Sequence, residues 1–143
     1  MARKFYLDTA IWRDYFEDRG DGIRPLGEFA FGLLKYCMDK HIAVIVSDVV
    51  HFELEKDYPK ERIESLFSYF KDTIIEIQLS QEQYIEAEKL WLKLEKTIPI
   101  NDIRHAVMAK DSNAIMVTRD NHFNTISGLL GIEVKKPEDI IYA

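Results

Sequence analysis

Apolar residues in this chain fall into two kinds of run. Short dense runs rich in Ile, Val, Phe and Tyr lie near 3–7, 42–46, 73–77, 114–117 and 132–134, and they predict strands. Between them apolar positions recur at helical spacing, predicting helices near 9–18, 24–39, 48–56, 60–71, 81–96 and 102–111, with a short one after Pro137. The clearest helix opens at Ser80. Ser80 and Gln83 fit a capping box, and Tyr84, Ala87, Trp91 and Leu94 share one face, while Glu82, Glu86, Glu88 and Lys89 make the other polar.

Strands alternating with helices predict an α/β fold, a parallel sheet covered on both faces. No repeat, low-complexity stretch or Pro/Gly-rich linker divides the 143 residues, which read as one domain over 1–143.

Two apolar runs break directly into carboxylate-bearing segments: Phe5-Tyr6-Leu7 into Asp8-Thr9, and Ala114-Ile115-Met116-Val117 into Thr118-Arg119-Asp120. In open α/β sheets ligands bind outside the carboxyl ends of the strands, so these aspartates, from opposite ends of the sequence, are placed to meet there. Glu53 and Asp102 have the setting to join them. Each acid also has a simpler reading. Asp8 and Asp102 both stand where helices begin and suit a cap or the helix dipole, and Asp120 stands at a loop-to-helix junction before Asn121-His122-Phe123. Glu53 shares a helix face with Val49 and Val50, so its carboxylate turns inward, whereas Glu55 and Lys56 read as solvated. Its simpler reading is an edge position with a packed stem; a functional role predicts a raised pKa or a nearby cation. Several carboxylates in one pocket repel unless a cation compensates them, and an oxygen-rich site suits Mg²⁺ or Mn²⁺.

The neighbouring polar residues add detail. Thr9 and Thr118 place hydroxyls beside the acids, and Arg119, between Thr118 and Asp120, can clamp a phosphate or pair with an acid. Arg13 and Arg104 lie within about a turn of Asp8 and Asp102, and either can reach the rim or remain solvated. His122 can act as a metal ligand, contact phosphate or lie on the surface. His105 can orient Asp102, touch substrate, or sit half-buried and hydrogen-bonded. His41 and His51 read as surface residues.

Charge and composition then restrict the partners. A net charge of −6 excludes a general nucleic-acid coating protein, which would be basic, but not a nuclease whose bound metal ions attract phosphate. Met1-Ala2-Arg3-Lys4 leads straight into a strand, and no run approaches the roughly 18 apolar residues of a membrane span. The expected location is the cytoplasm, with no membrane partner. A lone Cys37 in an apolar stretch forms no internal disulfide and reads as a small core residue in a reducing compartment.

Leu7-Asp8-Thr9, the Ser47…Glu53 helix start, Asp102-Ile103-Arg104-His105-Ala106 and Val117-Thr118-Arg119-Asp120-Asn121-His122-Phe123 together resemble the PIN-domain family, in order and over nearly the whole chain. The resemblance implies a three-layer α/β/α sandwich with a five-stranded parallel sheet. It also implies a metal-dependent ribonuclease, often the VapC-type toxin of a toxin–antitoxin pair. Carried over by position, Asp8, Glu53, Asp102 and Asp120 match the family's acidic quartet, catalytic and metal-holding, with Thr9, Thr118, Arg119 and His122 beside the substrate. It further implies a homodimer as the resting form, with an antitoxin segment across the acidic groove and an Arg facing the quartet. Two positions depart from the pattern: Ala10 stands where many members carry Asn or Ser, and His122 where a further Asp often precedes the closing Phe.

The leading functional expectation is a hydrolase cleaving RNA phosphodiester bonds with Mg²⁺ or Mn²⁺. The alternative is a catalytically silent PIN-like module that binds RNA or protein; loss of a quartet member would favour it, and none is lost. A haloacid-dehalogenase-type phosphotransferase needs a second Asp two residues after the first, where this chain has Ala10.

Overall fold

In a computed structural model, which describes residues 3–142 except 19, 21 and 23, five strands form one sheet in the order β3-β2-β1-β4-β5. All pairings are parallel. The strands are β1 (Lys4–Leu7), β2 (Ala43–Ser47), β3 (Ile74–Ile77), β4 (Ile115–Val117) and β5 (Val134–Lys135). Each expected strand is present, displaced by a residue or two at its ends.

The helices are α1 (Thr9–Glu17), α2 (Leu26–Lys40), α3 (Asp48–Glu55), α4 (Lys60–Tyr69), α5 (Gln81–Lys93), α6 (Ile100–Asp111), α7 (His122–Leu130) and α8 (Pro137–Ile141). Helix α2 packs on α1 and α8, and α6 on α5 and α7, which leaves the sheet between helical layers. Phe5, Tyr6, Leu7, Val44, Val46, Met116 and Val117 are fully buried, as the central strands of a doubly covered parallel sheet must be. Among the described residues no helix is long and apolar enough to cross a membrane.

Several helix boundaries differ from the expected ones by a residue or more, and backbone chemistry explains three of them. Helix α6 begins at Ile100, because Pro99 rather than Asp102 opens it. Helix α2 begins at Leu26 behind Pro25, since the residue before a proline is steered away from helical dihedrals. Helix α5 stops at Lys93, where Glu95 and Lys96 turn left-handed and the Lys96 amide caps the Trp91 carbonyl. The α5 capping box itself is formed as expected, with Ser80 Oγ accepting from the Gln83 amide and Gln83 Oε1 from the Ser80 amide. Helix α7 is not among the expected helices; in the sequence only the loop-to-helix junction at Asp120 points to it.

The close approach of α1 and α2 depends on Gly27. A Cβ there would lie 2.5 Å from Asp18 Oδ1 and 2.6 Å from Asp18 Cα, so any larger residue would push the two helices apart. Cys37 is buried in α2, and its burial pushes the thiol up to about 12, which makes it an inert core residue.

Candidate metal centre

The sheet order reverses at β1. The chain runs outward through β2 to β3 on one side and returns to β4 and β5 on the other, so the crevice between β1 and β4 is the topological switch point. Asp8 leaves the end of β1 and Thr118 the end of β4.

Asp8 caps α1, with Oδ1 accepting from the Ala10 amide at 2.6 Å, while its Oδ2 accepts from the Thr118 hydroxyl. The cap reading of Asp8 is therefore correct, and it is compatible with a site because the cap uses one oxygen. Burial pushes the Asp8 carboxyl above its ordinary range, against the opposing hydrogen bond from Thr118 and the charge of His105.

Asp102 lies in the first turn of α6 and is not its cap, so its carboxylate is free of the backbone and points to side chains. Its Oδ2 lies 3.2 Å from His122 Nδ1, which also lies 3.3 Å from Asp120 Oδ1. Burial raises the Asp102 carboxyl; His122 opposes that, and the charges of Asp120 and Asp8 reinforce it. Three of the four expected acids thus feel one another. Asp120 is oriented by its own loop, its amide donating to Thr118 Oγ1 at 3.0 Å and its Oδ1 accepting from the His122 amide at 2.9 Å.

Among the described residues, Asp102, Asp120 and His122 offer ligand atoms that all lie within 4.8 Å of one another. Two carboxylates and an imidazole at that spacing fit a small divalent ion, whose charge would offset the repulsion that adds to the burial of Asp102. Asp102 is half-buried and Asp120 and His122 are exposed, so the group opens to solvent.

Glu53 stands on the other side of Asp8, on α3. Its Oε1 accepts from Thr9 Oγ1 at 2.8 Å and lies 2.6 Å from His105 Nε2. Burial would raise its pKa, but the His105 hydrogen bond and charge, with Thr9 and Arg13, bring it below the ordinary value. Of the two signs expected for a functional Glu53, the nearby cation is present and the raised pKa is not. Arg13 also donates to the Glu53 carbonyl at 3.1 Å and pairs with Asp57 at 3.0 Å.

The threonines are buried and hold the acids: Thr9 donates to Glu53 and Thr118 to Asp8. Arg119 forms the ion pair that was one of its two readings, donating to Glu138 at 2.8 Å with Asp14 at 3.8 Å. Its guanidinium also lies over the Phe29 ring. Arg104 donates to Asn101 and lies over the Tyr84 ring. His51 pairs with Glu76 on the surface side of α3.

Sequence reasoning missed a buried polar chain behind the acids. His105, 2% exposed, bonds not to Asp102 but to Glu53, and its Nδ1 lies 2.6 Å from Tyr6 Oη, which lies 2.6 Å from Ser47 Oγ. The available signal was Tyr6 between Phe5 and Leu7 in a central strand, since a buried phenol needs a partner.

A family model for the PIN domain matches residues 5–129. No curated protein matches the sequence. Among solved structures the chain is similar to VapBC2 from Rickettsia felis bound to a promoter DNA fragment, at TM-score 0.67 and 21% identity, covering 92% of this chain and 97% of that one. It is also similar to a toxin–antitoxin complex from Klebsiella pneumoniae (TM-score 0.62, 20% identity, 94% and 98% covered). FitAcB from Neisseria gonorrhoeae gives a TM-score of 0.61 at 18% identity, with 93% and 97% covered. At these identities the likeness is one of fold.

Proposed function

The chain belongs to the PIN-domain family, whose members are nucleases, and from that premise we propose that it is a metal-dependent endoribonuclease and the toxin of a toxin–antitoxin pair. The observation that carries the reading is the group of Asp102, Asp120 and His122 at the carboxyl end of the sheet, beside the buried Asp8. We assign Asp8, Glu53, Asp102 and Asp120 to the catalytic and metal-holding set, with His122 as an added ligand. The imidazole nitrogen favours Mn²⁺ over Mg²⁺ relative to an all-oxygen site. Such an ion, when bound, supplies Lewis acidity toward a phosphate oxygen and lowers the pKa of water.

The protein's own residues then divide the work. Thr118 and the Ala10 amide fix the Asp8 carboxylate; Thr9 and His105 fix that of Glu53. Asp102 and Asp120 face solvent, where an extended RNA strand can approach. Arg119 can seat a phosphate only by giving up Glu138, so its contribution to RNA binding is smaller than that of an open arginine.

Partners follow from the same reading. The Klebsiella neighbour is a toxin–antitoxin complex, and an antitoxin segment with an Arg facing the acids would neutralise this site in the way a metal does. The proposed resting form is a cytoplasmic homodimer carrying that antitoxin.

The test is cleavage of pooled cellular RNA by purified protein with Mn²⁺, Mg²⁺ or chelator, with Asp8→Asn as the control. Metal-dependent cleavage lost in Asp8→Asn supports the proposal. Intact RNA with every metal, from correctly folded protein, overturns it.

A further inference from the structure

Behind the acids, four side chains from four segments form one buried hydrogen-bonded line: Ser47 at the end of β2, Tyr6 in β1, His105 in α6 and Glu53 in α3. Each step in it is 2.6 Å. Tyr6, Ser47 and His105 are at most 2% exposed, so none of them meets substrate. Glu53 alone reaches the surface, at 19% side-chain exposure.

Chemistry fixes the proton at the Glu53 end of this line. An ionised carboxylate only accepts hydrogen bonds, so the proton between His105 and Glu53 belongs to Nε2. On the other side of the ring Nδ1 lies against Tyr6 Oη, which fixes the orientation of the imidazole. The Tyr6 oxygen is held in turn by Ser47 Oγ. Ser47 Oγ accepts in turn from the Val50 amide at 3.4 Å, as the cap of the helix that carries Glu53. The line thus closes on the backbone of α3.

The geometry points to His105 as a positioning residue: held by Tyr6 and Ser47 with its proton on Nε2, it anchors Glu53 Oε1 and leaves Oε2 as the single oxygen offered to a metal ion. Thr9 reinforces this by donating to the same Oε1 at 2.8 Å, so that one carboxylate oxygen is doubly occupied. A glutamate side chain has freely turning bonds, and without these two donors its head would sample water. The inference rests on the proposal that the acids hold a divalent ion.

Two measurements test it. In metal-free protein, the imidazole ¹⁵N shifts of His105 should show a protonated Nε2; an Nε2 without its proton overturns the inference. Mn²⁺ titration by calorimetry should show His105→Leu binding about 10-fold or more weaker than wild type, the usual cost of losing a group that orients a ligand. His105→Gln, whose amide reaches Glu53, should recover most of the affinity, and His105→Asn, whose shorter amide meets only Tyr6, should not. If His105→Leu does not fold, the Gln and Asn variants alone decide: Gln no tighter than Asn overturns the inference. Wild-type protein that takes up no Mn²⁺ overturns the metal reading instead, and the metal-free ¹⁵N measurement still decides the role of His105.

Discussion

The Thr118 hydroxyl donates to Asp8 Oδ2, joining residues 110 apart in sequence across the ends of β1 and β4. The same oxygen accepts from the Asp120 amide at 3.0 Å, so one threonine sets two of the four acids. Thr118→Val should keep the shape of the site and lose both bonds. The expected loss is about 1–3 kcal/mol of stability, because the buried Asp8 carboxylate loses a donor and the part-buried Asp120 amide its acceptor. Urea unfolding of the metal-free protein measures it, and an unchanged midpoint would show that Thr118 does not hold the acids.

Burial lifts the Asp8 and Asp102 carboxyls above their ordinary 3.8, so at neutral pH their ionised forms oppose folding. For an acid whose folded pKa is raised, stability falls as pH rises from 3.8 through the folded value, and the full cost is present above it. Asp8→Asn and Asp102→Asn should therefore fold, melt at or above the wild-type temperature without metal at pH 7, and cleave no RNA. Unfolding of both variants would make these acids structural.

Added Mn²⁺ should raise the melting temperature of the wild type. By mass action the gain is about 2.7 kcal/mol at a free concentration about 100 times the dissociation constant. His122→Ala should lower the gain without abolishing it, since the acids remain. A melting curve insensitive to millimolar Mn²⁺ would count against the centre.

Arg119 and Glu138 predict a pH effect of opposite sign. Burial pushes the Glu138 carboxyl up, but the Arg119 hydrogen bond and charge, with Arg24, outweigh it and bring it below its usual 4.5. Its stabilisation is complete above that value and is lost as pH falls through the lowered one. Arg119→Ala should cost about 1.5–3 kcal/mol at pH 7, as for a hydrogen bond to a charged group, and progressively less as acid protonates Glu138. RNA affinity should fall only modestly in the same variant; a large drop with unchanged stability would make Arg119 a phosphate clamp.

Much of this architecture was legible in the chain. The five strand runs, the capping box of α5 and the carboxylates after β1 and β4 are local patterns, and local patterns follow from side-chain alternation and backbone capping. Asp8, Asp102, Asp120 and Glu53 were readable as candidates because an acid at a strand end or on an inward helix face is conspicuous in sequence. The start of α6 was not, because two signals competed there, Pro99 and Asp102, and steric restriction by the proline prevailed over the acid's preference for a helix start.

Tertiary structure alone decided who partners whom. His105 and Glu53 are 52 residues apart, Tyr6 and His105 are 99 apart, and no periodicity connects them. Their meeting follows from the sheet order, which places β1 between β2 and β4, with α6 packed against β1 and α3 against β2 and α6. The same holds for Arg119, whose identity allowed a phosphate or a carboxylate and whose surroundings supplied Glu138 and Asp14. Sequence determines which groups can donate, accept or carry charge; only the fold's burial and distances determine which of those interactions form, because electrostatic and hydrogen-bond energies act over a few ångströms of space, not of chain.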